Sequence, residues 1–334
     1  MQAKIAILGA TGAVGREFLR ILGERGVAPE GLRLLASARS AGNTCTYCGQ
    51  ELSVEQVGPD SFTGVDVALF SAGAEVSREW APVAIDAGAR VVDNSSAFRM
   101  NDDVPLVVPE INAAAIGDAR LIANPNCSTI IMNMAVWPLH SRHPVQRIVV
   151  STYQAASGAG RRAMLELEGQ TRDVLGGKPA KPDVFPVRCA FNLFSHNTPI
   201  DAQGYNTEEI KMVQETRKIF AQPDMAITAT CIRVPVLRAH SETINLTFRE
   251  PITAQEVREI LLQAPGLTLM DDRENNRFPT PIDATGRDDC LVGRIRQDIS
   301  QPDGRGIDLF ICGDQLRKGA ALNAVQIAEA LISG

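Results

Sequence analysis

The sequence predicts an α/β protein with two domains, and three observations support this. The chain has 334 residues, which is long for a single hydrophobic core. Over the first 125 residues, short apolar strands alternate with helical segments, the pattern of parallel βαβ units. Beyond that point the apolar runs are longer and richer in β-forming residues, which predicts an α+β domain with a mostly antiparallel or mixed sheet.

The order of the predicted elements sets the expected domain boundaries. In the first domain, apolar runs predict strands at 4–8, 32–36, 65–71, 90–93 and 121–123, with helices at 16–26 and 80–87. In the second, a helix at 128–139, which Pro138 is expected to end, precedes strands at 147–154, 226–234, 242–249, 294–299 and 306–313. The expected domains are therefore residues 1–125, completed by a C-terminal helix at 315–334, and residues 126–314.

Composition excludes several classes of protein. The formal net charge is −6 and no basic run stands out, which disfavours binding to nucleic acid or an anionic membrane. No signal-peptide pattern or membrane-length apolar run is present, so a cytoplasmic protein is expected. The seven cysteines are an odd number, typical of free thiols. Cys45 and Cys48 form a CxxC without a nearby second Cys/His pair, so no metal site is expected.

A glycine-rich turn lies between the first strand and the first helix. Gly9, Gly12 and Gly15 form a GxxGxxG pattern, a variant of the dinucleotide fingerprint of Rossmann-type domains. Glycines there permit a tight turn and let backbone N–H groups approach a pyrophosphate at the helix N-terminus. The expected contacts in this turn are Gly9, Thr11, Gly12, Ala13 and Val14. The alternative is a tight turn that binds no ligand.

The end of the second strand bears on which dinucleotide is bound. NAD sites usually place an acidic residue there to hold the ribose 2′-OH, but this chain has Ser37, Ala38, Arg39 and Ser40. An arginine with two hydroxyls suits a 2′-phosphate, which predicts NADP (NADPH); the alternative is a solvated loop arginine. Ser71 and Gly73, in the small-residue loop after the next apolar run, are assigned to the same cofactor.

Cys127 is the candidate nucleophile. It follows Asn124-Pro125-Asn126 and lies near the expected start of a helix, where the helix dipole favours a thiolate. A thiolate can form a thioester that a nearby hydride donor reduces. Among the four histidines, His240 lies between two predicted strands. It suits a general acid–base, although its position alone favours an exposed loop histidine.

Several ordered motifs together resemble those of bacterial aspartate-β-semialdehyde dehydrogenases, over essentially the whole chain. They are GATGAVG at the first turn, SARSAG at 37–42, SSAFR at 95–99, PNCST at 125–129, STYQAASGAG at 151–160 and RVPVLRAHSE at 233–242. The resemblance implies formation of L-aspartate 4-semialdehyde from 4-phospho-L-aspartate with NADPH and release of phosphate. It also implies a place in lysine (through diaminopimelate), threonine and methionine biosynthesis.

The resemblance implies a role for each matching residue. Cys127 would form the aspartyl thioester, Gln154 would orient the reacting centre, and His240 would be the general acid–base. The implied substrate contacts are Arg233 to the α-carboxylate, Glu208 to the amino group, and Arg99 and Lys211 to the phosphate. Ser157, Gly158 and Gln315 would lie near the nicotinamide. Spacing alone, without the resemblance, favours an ordinary surface ion pair for Glu208 and Lys211.

Two alternative functions fit part of the sequence pattern. N-acetyl-γ-glutamyl-phosphate reductases also use a cysteine, but typically with glycine before it and an aromatic residue after it, whereas Asn126 and Ser128 flank Cys127. A catalytically inactive scaffold relative would not need the set of Cys127, Gln154, Arg233 and His240.

The resemblance implies a homodimer, and the irregular, proline-rich segment 176–207 is a candidate part of its interface.

Overall fold

The computed structural model describes residues 3–333, which divide into two compact units. The first unit comprises the described residues up to Asn126 and from Ala320 onward, and the second runs from Cys127 to Gly319. The chain therefore returns to the first unit five residues later than the expected position 315. Gln315 remains with the second unit because its side-chain oxygen accepts the backbone N–H of Ala239 at 2.8 Å.

The first unit is built on a largely parallel sheet. Its described strands are β1 (Ile5–Leu8), β2 (Leu32–Ala36), β3 (Thr44–Tyr47), β4 (Gln50–Gln56), β5 (Val67–Phe70), β6 (Arg90–Asp93) and β7 (Leu121–Ala123). Its described α-helices before residue 127 are α1 (Ala13–Glu24), α2 (Ala74–Asp86) and α3 (Pro109–Asn112). The strand order is β3-β4-β2-β1-β5-β6-β7, and only the β3/β4 pair is antiparallel within the described sheet.

The second unit is built on a mixed sheet. Its described strands are β8 (Val145–Gln154), β9 (Phe194–Ser195), β10 (Ala226–Arg233), β11 (His240–Phe248), β12 (Leu267–Leu269), β13 (Cys290–Gln297) and β14 (Gly306–Gly313). The helices are α4 (Cys127–His140), α5 (Arg161–Leu175), α6 (Thr207–Ile219), α7 (Ala254–Leu262) and α8 (Pro281–Ala284). In the order β12-β13-β14-β11-β8-β10-β9, the β8/β10 and β12/β13 pairs are parallel. The predicted fold class is confirmed.

The last helix returns to the core of the first unit. This helix, α9 (Leu322–Ser333), buries Val325, Ile327 and Ala328 in the same apolar cluster as Phe18 and Leu22 of α1. Full burial of a side chain of this size contributes about 1.5–3 kcal/mol. The C-terminal helical spacing read from the sequence thus corresponds to a helix that completes the first unit's core.

Helix α4 ends within one residue of its expected end at position 139. Pro138 was expected to end it, and the helix runs to His140 with the proline in its last turn. A proline there removes only one backbone hydrogen bond of the helix. Ten residues of α4 are buried, and this packing stabilises the last turn despite the missing bond.

The glycine turn gives a test of the fold. Gly9 has a φ of +94°, and an added Cβ would overlap the Ser71 carbonyl. We expect Gly9→Ala to lower the free energy of unfolding by about 2–4 kcal/mol, from backbone strain plus overpacking. Gly64→Ala is the control, because Gly64 has a φ of +70° with nothing within 4 Å of an added Cβ, so only strain remains. Urea denaturation of both variants measures the difference, and equal losses would contradict the steric argument.

Candidate functional site

Three loops of the first unit lie at one edge of its sheet. Strand β1 pairs in parallel with β2 on one side and β5 on the other, so the loops after all three begin at the same edge. These loops contain the glycine turn, Ser37–Ser40 and Ser71–Gly73. The strand order reverses at β1, and ligands of open α/β sheets bind outside the carboxyl ends of the strands at such a point.

The glycine turn is packed as a dinucleotide site requires. The Gly9 N–H donates to the Leu35 carbonyl at 2.9 Å, and an added Cβ on Gly15 would overlap the Gly9 carbonyl. Gly12 is the N-cap of α1, with no side chain capping the helix and no acidic residue in its first turn. Thr11, Ala13 and Val14 lie in or beside that first turn. The turn therefore suits a pyrophosphate group at the helix N-terminus.

The loop after β2 presents an arginine to solvent. Ser40 and Ala41 donate backbone hydrogen bonds to the Ser37 carbonyl, which forms a turn with Arg39 exposed. On the neighbouring loop, Gly73 has a φ of +94° and is the N-cap of α2. The predicted cofactor residues of the first unit thus lie on loops at one sheet edge.

Arg99 lies in the loop after β6 and is only 8% exposed. Its Nε donates to the Asn124 carbonyl at 2.9 Å and its Nη2 to the Asn94 carbonyl at 2.8 Å. Asn124 is itself held by Asn94 and by Asn323 of α9. The Arg99 guanidinium is therefore held in one orientation within the first unit.

Cys127 is the first residue of α4 and is partly buried. An added Cβ on Gly319 would lie 2.9 Å from the Cys127 Cβ, so the lack of a side chain at 319 gives the thiol its space. Burial lowers the pKa of Arg233, and Cys127 is the first of the groups whose charge raises it, so the thiol lies within electrostatic range of the guanidinium. Both the helix N-terminus and this cation favour the thiolate form.

The sheet of the second unit aligns three polar side chains. Arg233 ends β10, Gln154 ends β8, and the two residues are register partners. His240 begins β11, where the next residue, Ser241, pairs with Tyr153 of β8. Continuing this antiparallel register by one residue places His240 opposite Gln154, so a cation, an amide and an imidazole lie in one cross-strand row.

His240 is fully buried and has a defined hydrogen-bonding state. Its Nδ1 accepts the Ala155 backbone N–H at 3.0 Å, so the neutral ring carries its hydrogen on Nε2. Among the described residues, Nε2 has no hydrogen-bond partner. Burial, and secondly the Arg233 charge, lower the pKa of His240 to about 3. The ring is therefore neutral near pH 7 and presents a hydrogen-bond donor.

Arg233 is only 2% exposed and is anchored by groups that sequence reasoning missed. Its Nη1 donates to the Ala155 carbonyl at 2.7 Å, and its Nη2 lies 2.9 Å from Nε2 of His196. Its Cζ lies 5.5 Å from the centre of the Phe185 ring. Its Nε has no hydrogen-bond partner among the described residues. The only sequence signal for His196 and Phe185 was their place in the long irregular segment.

Gln154 continues into a charged network on α6. Its Nε2 donates to Glu208 Oε1 at 3.1 Å, and Lys211 Nζ donates to Glu208 Oε2 at 3.2 Å. Glu208 is only 5% exposed. Glu208 and Lys211 are therefore more than the surface ion pair that their spacing alone allowed, since they share a buried network with Gln154.

Ser157, Gly158 and Gln315 lie around the imidazole of His240. Gln315 Nε2 donates to Ser157 Oγ, and Gln315 Oε1 accepts the N–H of Ala239, the residue before His240. An added Cβ on Gly158 would lie 3.0 Å from His240 Nε2. The absence of a side chain at 158 therefore keeps space beside the donor nitrogen.

Glu242, which the sequence analysis did not single out, lies two residues after His240 on the same strand face. It is fully buried, and neither carboxyl oxygen has a hydrogen-bond partner among the described residues. Burial raises the pKa of Glu242 well above its ordinary value. The side chain is therefore held as a neutral acid, since an unpaired buried carboxylate is costly.

This assignment predicts how stability depends on pH. The folded chain keeps a proton on Glu242 that the unfolded chain has lost, so stability should fall as pH rises from about 4.3 toward the raised pKa. One proton changes stability by at most about 1.4 kcal/mol per pH unit. Glu242→Gln keeps the shape and removes the ionisation, so it should become progressively more stable than wild type with rising pH. Urea denaturation between about pH 5 and 8 tests this, and parallel curves would rule it out.

Two further properties concern the described residues as a whole. No helix within residues 3–333 is both long enough and apolar enough to span a membrane. Over the same range, no three His, Cys, Asp or Glu side chains cluster in a way that could hold a metal ion. None of the cysteines in this part of the chain forms a disulfide.

Two family descriptions match the chain. Residues 4–119 match "Semialdehyde dehydrogenase, NAD binding domain", and residues 136–318 match "Semialdehyde dehydrogenase, dimerisation domain". The first range contains the glycine turn and the second contains Gln154, Arg233 and His240.

Individual relatives agree over nearly the whole chain. The aspartate-semialdehyde dehydrogenase of Synechocystis sp. is 57% identical over 98% of this chain and 97% of its own, and that of Bacillus subtilis is 45% identical over 98% and 96%. The crystal structure of aspartate semialdehyde dehydrogenase II complexed with ASA from Vibrio cholerae superposes with a TM-score of 0.95 at 45% identity, covering 100% of this chain and 99% of that one. These matches support the main functional prediction over the acetylglutamyl-phosphate alternative. The chain belongs to the aspartate-semialdehyde dehydrogenase family.

Proposed function

We propose that this oxidoreductase reduces 4-phospho-L-aspartate to L-aspartate 4-semialdehyde with NADPH, through a thioester on Cys127. The observation that carries the proposal is the cross-strand row of Arg233, Gln154 and His240, with Cys127 electrostatically coupled to its cation. An acyl-phosphate reductase needs a nucleophile, a donor for the developing oxyanion and a cation for the substrate. The second unit supplies all three.

The Cys127 thiolate attacks the acyl carbon, a C–S bond forms, and the C–O bond to phosphate breaks. The helix N-terminus and the Arg233 charge both favour the thiolate form of Cys127, which is the form that attacks. When bound, the reduced nicotinamide supplies a hydride. The resulting alkoxide on the Cys127 adduct then collapses to the aldehyde and returns the electron pair to sulfur.

His240 acts on the oxygen of these tetrahedral adducts. Its Nε2–H is the buried hydrogen-bond donor of the row, and such a donor stabilises a developing oxyanion more than a ground-state carbonyl. The general acid–base role expected from the sequence requires Nδ1 to give up its bond from Ala155, and it stays a prediction.

Each polar group of the site is proposed to bind a different part of the substrate. Arg233 is proposed to bind the α-carboxylate, because its buried Nε can donate to a planar anion. Glu208, which already accepts from Gln154 and Lys211, suits the substrate amino group. Arg99 and Lys211 are proposed to bind phosphate, and Gln154 to orient the reacting centre.

The turn after β2 supports NADP over NAD as the cofactor. Arg39 is exposed at the end of β2, within a turn that also carries Ser37 and Ser40. A guanidinium and two hydroxyls can bind the 2′-phosphate that distinguishes NADP. Ser157, Gly158 and Gln315, around His240, are the proposed nicotinamide contacts of the second unit.

We further propose a homodimer that uses the second unit. Five large apolar side chains within the irregular segment or just before it are between 42% and 75% exposed: Leu175, Val187, Phe191, Leu193 and Ile200. A second copy of the chain would remove this apolar surface from water. The cytoplasmic location expected from the sequence stays a prediction.

Replacement of the nucleophile tests the reaction. In the reverse direction, with L-aspartate 4-semialdehyde, phosphate and NADP, Cys127→Ser should lower kcat by about 10³-fold or more, because a serine hydroxyl is a poor nucleophile without a base. NADP binding, followed by calorimetry, should persist. Cys48→Ser, at an exposed thiol, is the control and should keep full activity. A Cys127→Ser enzyme with near-wild-type turnover would exclude the thioester.

The cofactor assignment has a separate test. Arg39→Ala should reduce the ratio of kcat/KM for NADP to that for NAD by about 10-fold to 100-fold, through loss of charge-assisted hydrogen bonds. Arg25→Ala is the matched control, because Arg25 lies beyond the opposite end of α1 in an ion pair with Glu329. An unchanged ratio in Arg39→Ala would remove Arg39 from the 2′-phosphate site.

A further inference from the structure

Backbone hydrogen bonds of the irregular segment 176–207 place His196 beside Arg233. The two-residue strand β9 pairs antiparallel with the end of β10, with Arg233 opposite Phe194. The His196 N–H then donates to the Cys231 carbonyl at 2.8 Å. These backbone bonds hold the main chain of His196 at a position from which its imidazole reaches the Arg233 guanidinium.

The tautomer of His196 follows from its partners. Arginine can only donate hydrogen bonds, so His196 Nε2, 2.9 Å from Arg233 Nη2, must contribute a lone pair. The ring hydrogen is then on Nδ1, which lies 3.4 Å from Thr198 Oγ1. Thr198 Oγ1 also accepts the Glu208 backbone N–H at 3.2 Å, which ties the ring to the start of α6.

A protonated imidazole would break this arrangement. It would have no lone pair for Arg233 and would place two cations in contact. Burial is the main reason why the pKa of His196 is lowered to about 4; the charge of Glu208 opposes this shift, and the charges of Arg233 and Lys211 add to it. The ring is therefore neutral where the enzyme would work, and its acceptor stays available.

The anchors of Arg233 engage two of its three guanidinium nitrogens. Ala155 engages Nη1 and His196 engages Nη2, while Nε has no partner among the described residues. With only the Ala155 carbonyl, the guanidinium could rotate about a single contact. Two anchors on different nitrogens define its plane.

We propose that His196 is a positioning residue whose neutral imidazole accepts a hydrogen bond from Arg233 and holds that guanidinium in the plane that binds the substrate α-carboxylate. The inference rests on the proposed function, because it assigns Arg233 to the α-carboxylate. His196 touches no reacting atom in this role.

Steady-state kinetics in the reverse direction test the role. His196→Phe keeps a planar ring without the acceptor and should raise KM for L-aspartate 4-semialdehyde by about 10-fold to 100-fold, while kcat and KM for phosphate change by less than about threefold. His196→Gln places an amide oxygen near Nε2 and should recover most of the loss. His143→Phe, outside the site, is the control for aromatic replacement of a partly buried histidine and should behave as wild type.

An analogue separates positioning from general destabilisation. Without an α-carboxylate, 3-aminopropanal gives Arg233 nothing to bind, so wild type and His196→Phe should use it equally poorly. A defect of His196→Phe that is as large with 3-aminopropanal as with the natural aldehyde would overturn the inference. An unchanged KM for L-aspartate 4-semialdehyde would also overturn it.

A measurement on the wild-type chain covers the case in which His196→Phe does not fold. In a ¹⁵N-histidine-labelled enzyme, nitrogen chemical shifts distinguish the two neutral tautomers, and His196 should carry its hydrogen on Nδ1. An Nε2–H tautomer would overturn the inference by itself. A wild-type enzyme without phosphate-dependent activity on the semialdehyde would overturn the proposed function and this inference together, whereas an active wild type confines any failure to His196.

Discussion

The burial of the Arg233 guanidinium is the constraint on which the rest of the second unit's site depends. A cation that is only 2% exposed costs several kcal/mol unless its surroundings replace the lost water. Here a carbonyl, a neutral imidazole and the face of an aromatic ring do so: Ala155, His196 and Phe185. None of these groups carries a charge, so the positive charge of Arg233 remains available to an anion.

The charge states of the titratable groups near Arg233 also preserve the positive charge of the site. Glu208 is paired with Lys211, so its carboxylate is shared between that ammonium and the charge of Arg233. His240 is neutral because burial and the Arg233 charge both disfavour a second cation. Glu242, one row further into the sheet, is a neutral acid because burial disfavours its carboxylate. A chain of net charge −6 thereby keeps a local cationic site, which a substrate with an α-carboxylate and a phosphate requires.

The parts of the site that sequence analysis anticipated are those with a local physical signature. The glycine turn, the strand–helix alternation and Cys127 at a helix start each rest on a few consecutive residues. His196, Phe185 and Glu242 have no such signature, because their contacts with the site arise from the short β9 pairing, a long irregular segment and strand register.

The hydrogen-bonding state of His240 changes how the proton balance of the proposed reaction is understood. A ring that accepts from Ala155 on Nδ1 offers a hydrogen on Nε2 and no lone pair there. A ring in this state cannot take a proton from Cys127 on Nε2. The proposed reaction does not require this if the helix N-terminus and Arg233 already favour the thiolate. The thiolate is consumed when it attacks the acyl carbon and is regenerated when the tetrahedral adduct collapses to the aldehyde. The same buried cation thus serves substrate binding and nucleophile activation, and His240 is left to stabilise the oxyanion between those steps.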